Sequence, residues 1–125
     1  MKITGFCPIV VTKDQESVVK TFEDLGFEKR HTKTDIEGGA NVGIAMKDAN
    51  GNRMVIASSS KDRADITAIQ INVDNFQEAY DFFIGHGFID PRGEKTTVTS
   101  SDQATMLFSP SGFPVVISEH FRERD

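Results

Sequence analysis

The fold of this chain is decided by Phe22–Phe27, FEDLGF, which recurs in outline as Phe83–Phe88, FIGHGF. The glycines that precede the last phenylalanine of each stretch lie 61 positions apart (87 − 26 = 61). The same offset places residues of the first half on similar residues of the second: Val10 on Ile71, Asp14 on Asn75, Gly51 on Gly112 and Ile56 on Ile117. One offset kept through a strand, a helix and two turns predicts a duplicated module of about sixty residues.

Composition and charge exclude several classes of protein. The chain has 125 residues, of which 38% are hydrophobic and 26% charged, which is typical of one globular domain and not of a disordered segment. A single cysteine excludes an internal disulfide. The net charge of −5 argues against a nucleic-acid partner, which would need clustered Lys and Arg. We find neither an apolar run of membrane-spanning length nor an apolar signal segment, so a cytoplasmic protein with no membrane partner is expected.

Each half shows the same order of elements. A strand opens the half, and a helix follows that is capped by Asp14 in the first half and by Asn75 in the second. Gly26 and Gly87 end the helices. The predicted strands are Thr4–Thr12, Phe27–Thr34, Ala40–Lys47 and Arg53–Ser58 in the first half, and Ile66–Val73, Phe88–Glu94, Thr105–Phe108 and Pro114–Glu119 in the second. Gly38-Gly39 marks a loop, and Ser58–Asp65 reads as a polar linker.

This order predicts an α+β fold made of two tandem βαβββ modules, with mixed sheets that curve around a cleft and helices outside. Module 1 covers about residues 1–60 and module 2 about residues 64–120, within a single domain 1–125 that ends in a charged tail, 121–125. The sequence leaves open whether the modules pair within one chain or across two.

The duplicated module resembles the vicinal oxygen chelate superfamily, over about residues 3–120. The resemblance rests on the repeat, on Pro8–Asp14 (PIVVTKD) at the start and on Phe22–Phe27 at the end of the first helix. That superfamily includes glyoxalase I, extradiol dioxygenases, fosfomycin-resistance enzymes and bleomycin-resistance proteins. Its metal-using members place His, Glu or Gln at the start of each first strand and in the middle of each last strand.

Carried onto this chain, the resemblance puts those ligand positions on Cys7, Val55, Val116 and Ala68, with Thr67 as the neighbour one residue away. Alanine and valine have no atom that can bind a metal, whereas a divalent ion needs at least three N, O or S ligands from the protein. We therefore expect no metal, no cofactor and no catalytic residue of the superfamily's usual type.

Several residues remain candidates for contact with a small molecule. Cys7 occupies a ligand position, although free cysteine is more often a buried apolar residue. Glu119 and His120 end the last strand, where at most one of the two can face a given side of the sheet. Methionines suit adaptable binding surfaces, although most apolar strand residues are plain core. The predicted ligand-binding residues are Cys7, Met46, Met54, Thr67, Phe108, Glu119 and His120.

Three functions compete. The first is a metal-free small-molecule-binding protein similar to the bleomycin-resistance branch, which would bind a small organic ligand and form a homodimer. The second is a metal-dependent lyase, isomerase or dioxygenase with replaced ligands, such as Cys7, Glu119 and His120. The third is an interaction module whose cleft is filled by its own side chains. The first is the preferred hypothesis, and the sequence leaves open whether the protein is an enzyme.

Overall fold

The structure, a computed structural model, describes residues 1–36, 41–59, 64–91, 93, 97–98 and 102–120. The side chains of residues 31–36, 41–42, 97–98, 102 and 120 lie outside that description. The elements in chain order are β1 (Ile3–Thr12), α1 (Gln15–Leu25), β2 (Glu28–Ile36), β3 (Asn41–Lys47), β4 (Arg53–Ser58), β5 (Ile66–Val73), α2 (Phe76–Gly85), β6 (Thr97–Val98), β7 (Asp102–Phe108) and β8 (Pro114–His120).

The order strand, helix, strand, strand, strand therefore occurs twice, which confirms the α+β fold and the tandem βαβββ modules. The chain forms two compact units. The first unit is Cys7–Thr67, and the second unit combines Met1–Phe6 with Ala68–Asp125. The boundary between the units thus falls inside β1 as well as in β5.

In the first unit, the strands lie in the order β2-β3-β4-β1. β1 pairs in parallel with β4, with Ile9 opposite Val55, and the other neighbours are antiparallel. One side of this sheet packs against α1, whose Val19 is buried on the sheet. The core of the unit consists of Val19, Ile44, Met46, Met54 and Ile56, with Val10, Val18, Phe22 and Phe27 packed around them.

In the second unit, the start of β1 lies beside β5, followed by β8, β7 and β6. The backbone N–H of Asp74 donates to the carbonyl of Lys2 at 3.0 Å, which holds the first residues of the chain to the end of β5. β5 pairs in parallel with β8, and β7 pairs antiparallel with β8. The core against α2 consists of Ile71, Val73, Phe76, Ala79, Leu107, Val115 and Ile117, and Tyr80, Phe83 and Phe88 pack around it.

The two helices are capped differently at their first turns. The side chain of Asn75 accepts a hydrogen bond from the N–H of Glu78 at 3.0 Å, as predicted. The prediction for Asp14 was wrong, because its side chain makes no cap hydrogen bond. Its own N–H instead donates to the hydroxyl of Thr12 at 2.9 Å. Gly26 and Gly87 follow the helices with φ of 124° and 90°, a left-handed region that favours glycine.

The predicted strands match those of the structure except after α2. Arg53–Ser58 and Ile66–Val73 have the predicted bounds, and most others shift by one to three residues. The strand predicted at Phe88–Glu94 was wrong, since Ile89 makes only an isolated bridge with Phe108 and a turn follows. Gly38-Gly39, the middle of the linker and the tail 121–125 lie outside the described residues. No helix within the described ranges is long and apolar enough to cross a membrane.

Candidate functional site

The candidate site lies on the side of the second unit's sheet that faces away from α2, here termed the α2-distal face. Ile71 and Ile117 are paired across β5 and β8, and both belong to the core packed on α2. Successive side chains of a strand point to opposite sides of the sheet. The next pair along the ladder, Asn72 and Ser118, therefore lies on the α2-distal face.

Three rows of side chains cross this face from β5 through β8 to β7. The ladders pair Gln70 with Val116 and Asn72 with Ser118, and β7 adds Met106 and Ala104. At the start of β8, Pro114 pairs with Phe108 on β7, and extending the β5–β8 ladder by one residue places Ala68 opposite Pro114, which gives a third row. The rows are the apolar row (Ala68, Pro114, Phe108), the middle row (Gln70, Val116, Met106) and the small polar row (Asn72, Ser118, Ala104).

The polar groups of these rows form one hydrogen-bonded set, here termed the amide cluster: Gln70, Asn72 and Ser118. The hydroxyl of Ser118 donates to Asn72 Oδ1 in a short hydrogen bond. Gln70 Nε2 donates to the same oxygen at 3.3 Å. Ser118 is 4% exposed, and both amides are half-buried. Asn72 Oδ1 thus uses both of its lone pairs within the protein.

Gly5 makes the position of Asn72 possible. A Cβ atom placed on Gly5 would lie 2.7 Å from Asn72 Nδ2 and 3.4 Å from its Cβ and Cγ. The first of these distances is well inside ordinary van der Waals contact, so any larger residue would displace the amide. The absence of a side chain at position 5 thus allows the backbone of β1 to pack closely against the side chain of Asn72.

One buried atom of the amide cluster has no hydrogen-bond partner among the described residues. Gln70 Oε1 is buried and accepts no hydrogen bond from any residue that the structure describes. A buried acceptor left without a partner costs about 1–3 kcal/mol relative to a paired one. Such groups in folded proteins are normally paired with protein or water. The α2-distal side of the sheet therefore contains one buried acceptor that no donor among the described residues pairs with.

The face carries no ionisable group in its three rows, because all nine side chains are uncharged amides, hydroxyls or apolar groups. Its polarity changes across the sheet. The amide cluster lies on β5 and β8, whereas Met106 and Phe108 form an apolar edge on β7 and are half-buried. A surface of this kind recognises a molecule by a few directed hydrogen bonds and by apolar contact.

In the first unit, Cys7 lies on the side of the sheet away from α1. It stands two pairs before Ile9 and Val55 in the β1–β4 ladder, which places it next to Arg53 on β4. Burial raises the pKa of the Cys7 thiol, and the charge of Arg53 opposes that rise without cancelling it. A raised pKa favours the neutral thiol, which is a poorer nucleophile and metal ligand than the thiolate.

The two predicted methionines lie elsewhere. Met46 and Met54 face each other across β3 and β4 and are 1% and 5% exposed. Both belong to the core that packs on Val19 of α1. A ligand-binding role for either stays a prediction, and the packing already explains why an apolar side chain is present at each position.

The remaining predicted residues are divided between the two sides of the second sheet. Phe108 lies on the α2-distal face, in the apolar row. Thr67 is exposed and adjacent to Ala68, so it points to the other side. The carboxylate of Glu119 accepts a hydrogen bond from the N–H of Phe76 at 2.7 Å and so caps α2. His120 pairs with Asp102 through the strand backbone, and its side chain lies outside the described residues.

Sequence reasoning missed the amide cluster. Gln70 and Asn72 were recognised only as the polar residues that alternate with Ile69, Ile71 and Val73 in β5. That alternation did locate the side of the strand that faces away from the helix. The type of residue is the signal that indicates the cluster, because two amides at neighbouring positions of one strand face can bond to each other and to a third group.

A metal centre built from the usual residue types is not found in the part of the chain that the structure describes. There, no three residues among His, Cys, Asp and Glu lie close enough to hold one ion. Of the four positions where the sequence resemblance would place metal ligands, Cys7 and Val55 lie in the first unit and Ala68 and Val116 in the second. In the second unit, Ala68 and Val116 lie in the apolar and middle rows, beside Gln70.

Comparison with known proteins gives a fold and no close relative. No protein-family model matches the sequence, and no curated protein matches it. Among solved structures, methylmalonyl-CoA epimerase from Mycobacterium tuberculosis aligns with a TM-score of 0.69 at 10% identity, over 94% of this chain and 88% of that one. A glyoxalase/bleomycin resistance protein/dioxygenase superfamily member from Vibrio splendidus aligns with a TM-score of 0.55 at 14% identity, over 94% and 99%.

Glyoxalase I from Zea mays also aligns, with a TM-score of 0.66 at 11% identity. The match covers 98% of this chain and 45% of the maize protein, so this chain spans less than half the length of that relative. Identities this low establish a shared fold and carry no information about substrate or ligand.

Proposed function

We propose that this chain, which has the vicinal oxygen chelate fold, is a metal-free protein that binds a small organic molecule. The observation that carries the proposal is the chemistry of the four positions at which the fold holds its metal. Val55, Ala68 and Val116 have no donor atom, and Cys7 alone remains. One ligand is too few for a stable divalent site in a protein.

The surroundings of the missing ligands support the same proposal. Beside Ala68 and Val116, the α2-distal face offers neutral amides and an apolar edge in place of carboxylates and imidazoles. Hard divalent ions prefer charged or strongly dipolar oxygen donors, and zinc prefers thiolate or imidazole. Neutral amides with an unpartnered acceptor suit an uncharged organic group better.

The metal-dependent enzyme remains the alternative, and its replacement set was Cys7, Glu119 and His120. Two features weigh against the set. Glu119 Oε1 already accepts a hydrogen bond from the N–H of Phe76, which orients the carboxylate towards the first turn of α2. Burial holds the thiol of Cys7 in its neutral form, and proton loss would be required before it could bind an ion.

The third possibility, a module that binds no small molecule, is less well supported. A surface filled only by its own side chains would be expected to satisfy its own polar atoms. Gln70 Oε1 is instead without a partner among the described residues. A homodimer and a cytoplasmic location stay predictions, and the first is checked by measuring the molar mass in solution by light scattering.

The test is calorimetric titration of chelator-treated protein with Zn²⁺, Ni²⁺ and Mn²⁺, and with Fe²⁺ under anaerobic conditions. The proposal expects no sub-micromolar binding of any of the four ions. Sub-micromolar binding of one ion per chain that is lost in Cys7→Ala would overturn the proposal and indicate an enzyme with replaced ligands. Glu119→Gln tests in the same way whether Glu119 is one of the replacement metal ligands.

A further inference from the structure

We propose, on the basis of the proposed function, that the bound molecule is uncharged, donates an O–H or N–H to Gln70 Oε1 and places an apolar group against Met106 and Phe108. The juxtaposition behind this assignment is an unpartnered buried acceptor in the same row as an apolar edge. The inference names a ligand class for the α2-distal face, which the fold alone does not provide.

The orientation of the Gln70 amide is coupled to that of the Asn72 amide. Asn72 Oδ1 receives hydrogen atoms from Ser118 Oγ and from Gln70 Nε2. Turning the Gln70 amide over by itself would bring its oxygen against Asn72 Oδ1, and two acceptors would then face each other. With Asn72 Oδ1 as the shared acceptor, Gln70 Nε2 faces Asn72, and Oε1 is the buried atom left without a partner among the described residues.

The absence of charge in the three rows decides between classes of donor. An ammonium group would also donate to Gln70 Oε1, but no carboxylate in the rows would balance its charge. Moving an unpaired ion out of water into a half-buried site is far more costly than moving a hydroxyl or an amide. An anion would meet the lone pairs of Oε1 and be repelled. The site thus favours a neutral donor.

The apolar half of the ligand is specified by β7. Met106 stands in the middle row, two residues along the same strand face from Phe108 in the apolar row. Both side chains are half-buried and so retain surface that a ligand can cover. Methionine is flexible and polarizable, and adapts to the edge of an aromatic or aliphatic group. A neutral molecule that joins a hydroxyl or amide to an aromatic or aliphatic group combines the two kinds of contact.

Four fragments of one size test the assignment: benzyl alcohol, benzyl methyl ether, protonated benzylamine and benzoate. Each is titrated into ¹⁵N-labelled protein, and the side-chain amide resonances of Gln70 and Asn72 are followed by NMR. We expect benzyl alcohol to shift these resonances and to bind about tenfold more tightly than the ether, the equivalent of one hydrogen bond of about 1.4 kcal/mol. The two charged fragments should bind less tightly than the alcohol.

Two variants at position 70 separate the acceptor from the rest of the face. Gln70→Met keeps the length of the side chain and removes the acceptor, so the preference for alcohol over ether should disappear. Gln70→Glu adds the missing countercharge, so protonated benzylamine should become the tightest of the four fragments. Gln77→Met, on the exposed side of α2, makes the same chemical change away from the face and should behave as the wild type.

The outcomes distinguish this inference from the proposed function. Equal binding of alcohol and ether, unchanged in Gln70→Met, would overturn the ligand class and leave a small-molecule site standing. No shift of the Gln70 amide at saturating fragment would overturn the inference as well. Tight metal binding in the calorimetric experiment would instead refute the proposed function, whichever way the fragments behave.

Discussion

Replacing Glu119 by alanine should destabilise the protein because it removes a cap from α2. The carboxylate of Glu119, on β8, accepts a hydrogen bond of 2.7 Å from the N–H of Phe76, the first residue of the helix. The four N–H groups at a helix start have no partner within the helix. This bond therefore pairs one of them and also joins α2 to a strand 43 residues away in sequence.

The magnitude follows from the type of bond. A hydrogen bond to a charged group contributes about 1.5–3 kcal/mol, and a carboxylate at a helix start adds about 0.3–1 kcal/mol through the helix dipole. Because Glu119 is half-buried, we take the lower part of this range and expect Glu119→Ala to lower the free energy of unfolding by about 2 kcal/mol. For a chain of this length, that corresponds to a fall in Tm of roughly 6–10 °C.

Three variants provide matched controls in a urea titration followed by circular dichroism. Glu119→Gln keeps the accepting oxygen and loses the charge, so about 1 kcal/mol is expected. Asp14→Ala removes the residue at the corresponding place before α1, where the side chain makes no cap hydrogen bond, and should cost at most about 0.5 kcal/mol. Asn75→Ala removes a real cap bond and should cost about 1 kcal/mol.

A loss in Glu119→Ala no larger than that in Asp14→Ala would refute the reasoning. Glu119 would then contribute nothing as a cap, and its carboxylate would again be a candidate to contact a ligand or a metal. A full loss in Glu119→Gln, equal to that in the alanine variant, would show that the charge and not the accepting oxygen is what matters.

Three further outcomes can be measured. Gly5→Ala should lower the free energy of unfolding by about 1–2 kcal/mol, because the new Cβ displaces the Asn72 amide; an unchanged urea midpoint would contradict the close approach. Thr105→Val should raise the Tm, since Thr105 is 3% exposed and its buried hydroxyl has no partner among the described residues, which costs about 1 kcal/mol. A lower Tm would mean that the hydroxyl is paired. Cys7 should react slowly with iodoacetamide at pH 7, because burial raises the pKa of its thiol. Arg53→Met should slow the reaction further, since the charge of Arg53 lowers that pKa in the wild type. Faster alkylation in the variant would contradict the assigned causes.

The repeat and the alternation of residues were enough to predict most of the fold. β4 and β5 have the predicted bounds because β-branched residues alternate or cluster in them and turn residues bound them. The strand expected at Phe88–Glu94 failed for a local reason. Ile89 pairs with Phe108 in both directions, but Pro91 has no N–H to continue the ladder.

The candidate site was less predictable than the fold. Asn72 and Ser118 lie 46 residues apart, and their contact depends on the register between β5 and β8. A shift of one residue in that register would have placed Asn72 and Ser118 on opposite sides of the sheet. The cap by Glu119 depends equally on where the end of β8 lies relative to α2. Sequence periodicity fixes which residues share a face, and long-range register decides which of them touch.

The division of β1 between the two units has a consequence for the order of folding. The first unit, Cys7–Thr67, is continuous, whereas the second unit needs Met1–Phe6 to meet Ala68–Asp125. Closing that long loop in an open chain carries an entropy cost that falls once the intervening residues are compact. We therefore expect the first unit to form earlier, so that it brings the two parts of the second together. Pulse-labelled hydrogen exchange during refolding would show amides of β3 and β4 protected before those of β5 and β8, and the reverse order would exclude this sequence of events.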